Sequence, residues 1–182
     1  MRLARITLAI LFLAVAAPAT AAPLITVCFT PGGDCTDLVV KSIAGASHQI
    51  RVQAYSFTSA PIAKALADAY RRGVDVQVIL DKSQATAKYT GATYLQHAGV
   101  PVTIDSKVAI AHNKVIVIDG QTVITGSFNF TKAAQEKNAE NLLVIRNPDL
   151  AAKYLANWQS RRAVSEPYRH VKRSGGALSE LD

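Results

Sequence analysis

Short β-rich runs alternate with capped amphipathic helical stretches along most of this 182-residue chain. That alternation narrows the possible folds more than any other feature. Strand-like runs stand at residues 24–29, 50–55, 74–80, 101–104, 115–118, 122–125 and 142–145, and turn residues bound most of them. A first helix is predicted with Thr36 as cap and Gly45 as stop, carrying Leu38, Val39 and Ile43. A second has Ser59 as cap, Pro61 in its first turn and Gly73 as stop. A third covers 90–97 and ends at Gly99, and a last one, opened by Pro148, is expected to bury Leu150, Tyr154, Leu155 and Trp158. Strands alternating with helices predict a layered α/β domain. Asp119-Gly120, between two β-rich runs, signals a hairpin and makes the sheet mixed rather than purely parallel. No internal repeat is visible.

Composition removes several classes. Charged residues make up 18% of the chain and hydrophobic ones 49%, which excludes a disordered polyelectrolyte. No apolar run reaches the roughly 18–20 residues of a membrane-spanning helix. Two cysteines are too few for a disulfide-built miniprotein or a four-cysteine zinc site. Arg2 and Arg5 precede an apolar stretch over 6–17 and the small residues Ala19-Thr20-Ala21. This pattern predicts a signal peptide over 1–21, cleaved near Ala21 or Ala22, and hence a periplasmic or secreted protein. The catalytic domain is then expected over 22–162, with a basic, flexible tail over 163–182. In an oxidising compartment Cys28 and Cys35 can close a small loop around Pro31-Gly32-Gly33; the alternative is one buried and one exposed thiol.

The net charge of +7 includes the leader arginines and the cluster Arg161, Arg162, Arg169, Lys172 and Arg173. A basic balance of this kind is compatible with a polyanionic partner without requiring one.

The chemistry is concentrated in one string. His112, Lys114, Asp119, Gly126, Ser127 and Asn129 stand in the order H-x-K-x4-D-x6-G-S-x-N. In an extended segment His112 and Lys114 share a face, because side chains alternate along a strand. An imidazole beside an ammonium suits a phosphate: one attacks while the other holds oxygen charge. Gly126-Ser127 offers a backbone amide and a hydroxyl, and Asn129 an amide donor. Glu140 is placed to bond the far nitrogen of His112 and fix its tautomer. Taken singly, H-x-K, Asp-Gly and Gly-Ser are ordinary edge or turn residues, and Asn129-Phe130-Thr131 matches a glycosylation sequon by chance. Their fixed register, followed by Asn138, Glu140 and Asn141, argues for function.

A metal site has little support in the sequence. His48, His97, His112 and His170 lack ligand spacing, and Asp34 with Asp37 is a poor donor set. No cofactor is called for.

The string from His112 to Asn129 resembles the HKD motif of the phospholipase D superfamily. Ala54-Tyr55-Ser56-Phe57-Thr58, Arg72-Gly73-Val74-Asp75-Val76 and the run from Gly126 to Ala134 extend the likeness to its single-motif bacterial endonucleases, the Nuc subfamily. The likeness covers roughly residues 25–162. It implies an α/β/α sandwich around a mixed sheet. Members need two motifs per active site, and this chain has one, so the resemblance implies a homodimer with the site on its two-fold axis. It also implies a metal-independent, two-step mechanism through a phosphohistidine. In it His112 is the nucleophile, Lys114, Ser127 and Asn129 hold phosphate oxygens, Glu140 orients His112, and Asp119 has a structural or supporting part.

The function expected is a non-specific endonuclease on DNA, with RNA as a further substrate. Lys82, Lys88, Lys107, Lys132 and Lys137 then track phosphates without reading bases. A phospholipid phosphodiesterase or transphosphatidylase is the enzymatic alternative, because the diester is the same. Against it, no amphipathic helix with a basic face stands in the core sequence. A silent nucleic-acid-binding accessory protein is the third reading, and it would be favoured only if a motif residue were missing.

Overall fold

The computed structural model describes residues 24–87 and 90–169. The leader read over 1–21, Lys88, and His170, Lys172 and Arg173 lie outside the described residues. The chain runs β1 (Leu24–Thr30), α1 (Cys35–Ala44), β2 (Gln49–Ala54), α2 (Ala60–Arg71), β3 (Asp75–Asp81), a 3-10 turn (Lys82–Ala85) and α3 (Gly91–His97). It continues through β4 (Val102–Asp105), β5 (Lys114–Ile118), β6 (Thr122–Gly126), α4 (Lys132–Glu136), β7 (Glu140–Arg146), α5 (Pro148–Val164) and β8 (Glu166–Pro167). One sheet of eight strands takes the order β1-β7-β6-β5-β2-β3-β4-β8. β2, β3 and β4 pair in parallel and the other pairs are antiparallel, so the mixed sheet expected from the sequence is present.

Two apolar clusters show why 115–118 reads as a continuous branched run. Ile116 and Ile118 join the large cluster with Val39, Ile43, Ile62 and Leu66 from α1 and α2 and Leu95 from α3. Val115 and Val117 meet Ala151 of α5 in a smaller cluster. A strand covered on both faces has no polar side to alternate with. α5 is fixed further by Trp158, whose indole N–H donates to the Val52 carbonyl at 2.9 Å, with Arg51 5.4 Å from the ring centre. Trp158 is buried as expected, whereas Leu150, Tyr154 and Leu155 are only partly buried. The turn between β5 and β6 places Asp119 and Gly120 at φ 52° and 65°, the paired positive values of a tight hairpin.

Three local expectations are corrected. α1 is capped by Asp34, whose carboxylate accepts from the Asp37 amide at 3.1 Å, so the helix starts before Thr36. Residues 163–169, read as the start of a loose tail, belong to the fold. α5 reaches Val164, β8 pairs with β4, and Tyr168 is buried, its hydroxyl 2.8 Å from that of Thr93. The short helix α4 was also not expected; Thr131 caps it with a bond to the Ala134 amide.

Cys28 and Cys35 form a disulfide between β1 and the start of α1, with Cα atoms 5.6 Å apart. In the chain-entropy model such a short loop is worth about 2 kcal/mol.

Candidate active site

Antiparallel pairing brings the ends of β2 and β6 and the beginnings of β5 and β7 to one end of the sheet. The motif residues other than Asp119 meet there. Lys114 opens β5 opposite Ala54, and the Tyr55 amide donates to the Asn113 carbonyl at 2.8 Å. This pairing sets the Tyr55 ring 4.7 Å from that of His112 and 5.1 Å from the Lys114 ammonium. His112 is exposed, so its imidazole is open to a substrate. Lys114 is only 7% exposed and donates to the His112 carbonyl at 3.0 Å. Burial pushes the Lys114 ammonium below its ordinary range, opposed by the charge of Glu140. A desolvated ammonium with donors to spare is suited to an incoming anion.

The other wall is the turn after β6. Gly126 has φ 141°, and a Cβ there would run into the Asn141 carbonyl, so only glycine fits. The Ser127 and Phe128 amides both donate to that carbonyl, at 3.1 and 3.2 Å, and the Asn141 amide donates to Ser127 Oγ at 3.0 Å. The turn therefore holds β7 against β6 and leaves the exposed Ser127 hydroxyl able to donate. Asn129 follows, its Oδ1 buried with no partner among the described residues. An unsatisfied buried amide oxygen is costly; it can take only a donor, so a phosphate oxygen would be held by the Nδ2 side of the same amide.

Glu140, at the start of β7, accepts from the Asn138 side chain at 2.9 Å. The expected bond to His112 is not formed among the described residues, and the influence of Glu140 falls on Lys114 instead.

Asp119 stands apart. It lies at the other end of β5, roughly 16 Å from Lys114 at a strand's rise per residue, a position that suits the structural or supporting part expected of it. Its carboxylate accepts from the backbone amides of Ser47, His48 and Gln49 at 2.9, 2.8 and 2.9 Å. It thereby fixes the entry into β2. Burial alone would raise the Asp119 carboxyl, but these bonds outweigh it and hold the group below the usual carboxylate range. Asp119→Ala is expected to cost about 1–2 kcal/mol in urea unfolding at neutral pH. A carboxyl lowered in the folded state adds stability above its unfolded pKa and loses it as pH falls through the folded one. The gap between variant and wild type should therefore close on acidification.

Asp81 was missed by the sequence reading. It ends β3, is 2% exposed, and accepts from the Ser83 amide at 2.8 Å and the Ala111 amide at 2.7 Å. The second bond fixes the residue immediately before His112. Lys82 donates to the Val108 carbonyl at 3.3 Å, and Asp105 accepts from the Lys107 amide at 3.1 Å. Asp105 is itself held by both guanidinium contacts of Arg161, each 2.7 Å. The 106–113 loop that presents the imidazole is thus anchored by side chains along its length. The sequence signal was faint: an aspartate closing a β-rich run. Asp81→Asn is expected to lower kcat at least about tenfold with KM little changed, because the His112 imidazole is misplaced while Lys114, Ser127 and Asn129 stay. Steady-state kinetics beside a thermal melt check this.

An exposed imidazole, a buried ammonium and hydroxyl and amide groups around one open end of a mixed sheet suit phosphoryl transfer. The chain belongs to the phospholipase D-like family: the family model "Cardiolipin synthase, PLD-like domain" matches residues 39–162. Phospholipase D of Rickettsia conorii is 46% identical over 139 residues, covering 76% of this chain and 70% of that protein. Nuc from Salmonella typhimurium, described as a phospholipase D family member, superposes with a TM-score of 0.78 at 44% identity, over 81% of this chain and 99% of that one. NucT from Helicobacter pylori superposes at 0.76 with 25% identity, over 81% and 100%. The protein is accordingly a phosphodiesterase of the phospholipase D superfamily.

Proposed function

We propose that this phosphodiesterase is a metal-independent endonuclease without sequence preference, hydrolysing DNA, and RNA as well, in an active site shared by two copies of the chain. The observation that carries the reading is a single His112–Lys114 pair at an open sheet end, in a chain whose likeness to Nuc spans nearly all of that protein.

One imidazole cannot be nucleophile and acid in the same step. With two copies across one phosphodiester, one His112 attacks phosphorus and forms the N–P bond, while the other, protonated, gives its proton to the leaving oxygen as the P–O bond breaks. Water then attacks phosphorus, the second imidazole takes its proton, and the N–P bond breaks. Lys114, Ser127 and Asn129 of both copies hold the non-bridging oxygens, and Glu140 sustains the charge of Lys114. The donors gathered here suit an anion better than a cation, which supports a reaction without metal.

Pairing of two copies has support beside the site. β1 is an edge strand whose Ile25, Val27 and Phe29 are 55%, 52% and 61% exposed, sharing a face with Leu143 and Ile145 of β7. A strip of this kind suits an isologous interface. Phe29 pairs with Asn141, so the strip begins at the catalytic end. Export to the periplasm or beyond is part of the proposal, supported by the disulfide.

The test is nicking of supercoiled plasmid by the exported form in excess EDTA. Nicking that persists in EDTA supports the reading, and nicking that requires added metal contradicts it. The rickettsial relatives are named phospholipase D, which favours a second reading, a phosphatidyl substrate. A folded dimer that leaves plasmid intact but hydrolyses phosphatidylcholine would establish that one.

A further inference from the structure

A cavity of about 410 Å³ lies beside the catalytic end, between the loop after β2 and the starts of α2 and α3. Backbone hydrogen bonds tie its wall to the segment that carries Asn129. The Thr58 and Ser59 amides both donate to the Phe130 carbonyl at 2.9 Å, one residue beyond Asn129, and the Gly91 amide donates to the Phe57 carbonyl at 2.8 Å.

Most of its wall area is apolar, although Thr58, Ser59, Thr90, Tyr94 and Lys64 bring polar groups to it. Tyr94, 45% exposed, forms one side. Ser59 is only 4% exposed, yet its hydroxyl makes no capping bond to α2 and has no hydrogen-bond partner among the described residues. A hydroxyl with no protein partner on a cavity wall is a donor and acceptor open to whatever enters. Lys64, paired with Asp68 at 2.7 Å, stands at the rim. An aromatic face, the hydroxyls of Thr58, Ser59 and Tyr94 and a rim cation match a planar heterocycle attached to a phosphate chain.

We propose that this cavity is a nucleobase subsite, in which Tyr94 stacks on the base of a nucleotide flanking the scissile phosphodiester and Ser59 bonds its edge. This rests on the endonuclease reading. A hydroxyl that both donates and accepts takes any base, so the subsite adds affinity without sequence preference. An acyl chain is the competing occupant; it would leave the Ser59 hydroxyl unpaired, which disfavours it.

The experiment compares wild type, Tyr94→Ala and Tyr94→Phe on two single strands of equal length, one ordinary and one built of abasic nucleotides. Melting temperatures are measured alongside. Tyr94→Ala is expected to raise KM on the ordinary strand about tenfold with kcat kept, and to leave the abasic strand unaffected. Tyr94→Phe, which keeps the stacking face, should behave as wild type. An equal rise on both strands, or no rise on the ordinary one, overturns the subsite. A loss confined to short-chain phosphatidylcholine assigns the cavity to an acyl chain and overturns it too. Wild type that cuts neither strand defeats the endonuclease reading, and the subsite falls with it; that result is distinct from the others.

Discussion

His112→Ala is expected to lose at least about 10⁴-fold in kcat while folding and pairing as wild type does. Removing a nucleophile eliminates the first covalent step, and losses of that order or more follow when one member of a catalytic unit is deleted. In the proposed paired site the loss would be compounded, because each His112 would serve as nucleophile in one orientation and as acid and base in the other. Stability should change by no more than about 0.5 kcal/mol, since the imidazole is exposed and its one described ring contact is with Tyr55. Denaturant unfolding, sedimentation and plasmid nicking together check this. Near-normal cleavage by a well-folded variant would contradict the role given to His112.

Lys114→Met carries the second large effect, with opposite consequences for activity and stability. Removing one donor aimed at developing negative charge costs about 10²–10³-fold in kcat. The same ammonium is desolvated in the unliganded chain, 7% exposed, with one hydrogen bond of 3.0 Å to the His112 carbonyl. Replacing an imperfectly compensated buried charge by an apolar side chain of similar length is neutral or stabilising. The variant is therefore expected to melt at or above the wild-type temperature near neutral pH. For a lysine whose folded pKa is lowered, the native state gives up its proton before the unfolded chain does. The destabilisation by Lys114 is thus full below the folded pKa and relieved as pH rises from that value toward the unfolded one. The stability difference between variant and wild type should shrink with alkalinity over that window. A variant that is less stable and retains wild-type kcat would show that Lys114 is a packing residue.

These expectations depend on how the sequence maps onto space. Period-two runs, the Asp119-Gly120 hairpin and the helix stops at Gly45, Gly73 and Gly99 all act locally, so the sequence revealed them. The grouping of His112, Lys114, Ser127 and Asn129 was legible because pairing of adjacent strands in a hairpin brings these positions to one end. Asp119 belongs to the same string but sits at the far end of β5, where strand rise carries it away from His112. Spacing alone does not separate a residue that acts from one that braces. Asp81 was hidden for the opposite reason: its bond to the Ala111 amide spans 30 residues and exists only once β3 and the 106–113 loop are side by side. Glu140 shows the same limit. Proximity to the motif suggested His112 as its partner, and the fold instead gives it the Asn138 amide and the field around Lys114. The end of the chain was misread because β8 is only two residues long and Tyr168 is held by contacts to α3 and β4.

The most direct test of the central claim is a count of covalent phosphoenzyme. Wild-type protein is mixed rapidly with excess labelled oligonucleotide, quenched in alkali, digested and mapped by mass spectrometry. A phosphoramidate on His112 alone, approaching one adduct per two chains, is the expected result. Turnover with no adduct, an adduct on another residue, or one adduct on every chain would contradict a shared site in which one His112 attacks and the other transfers protons.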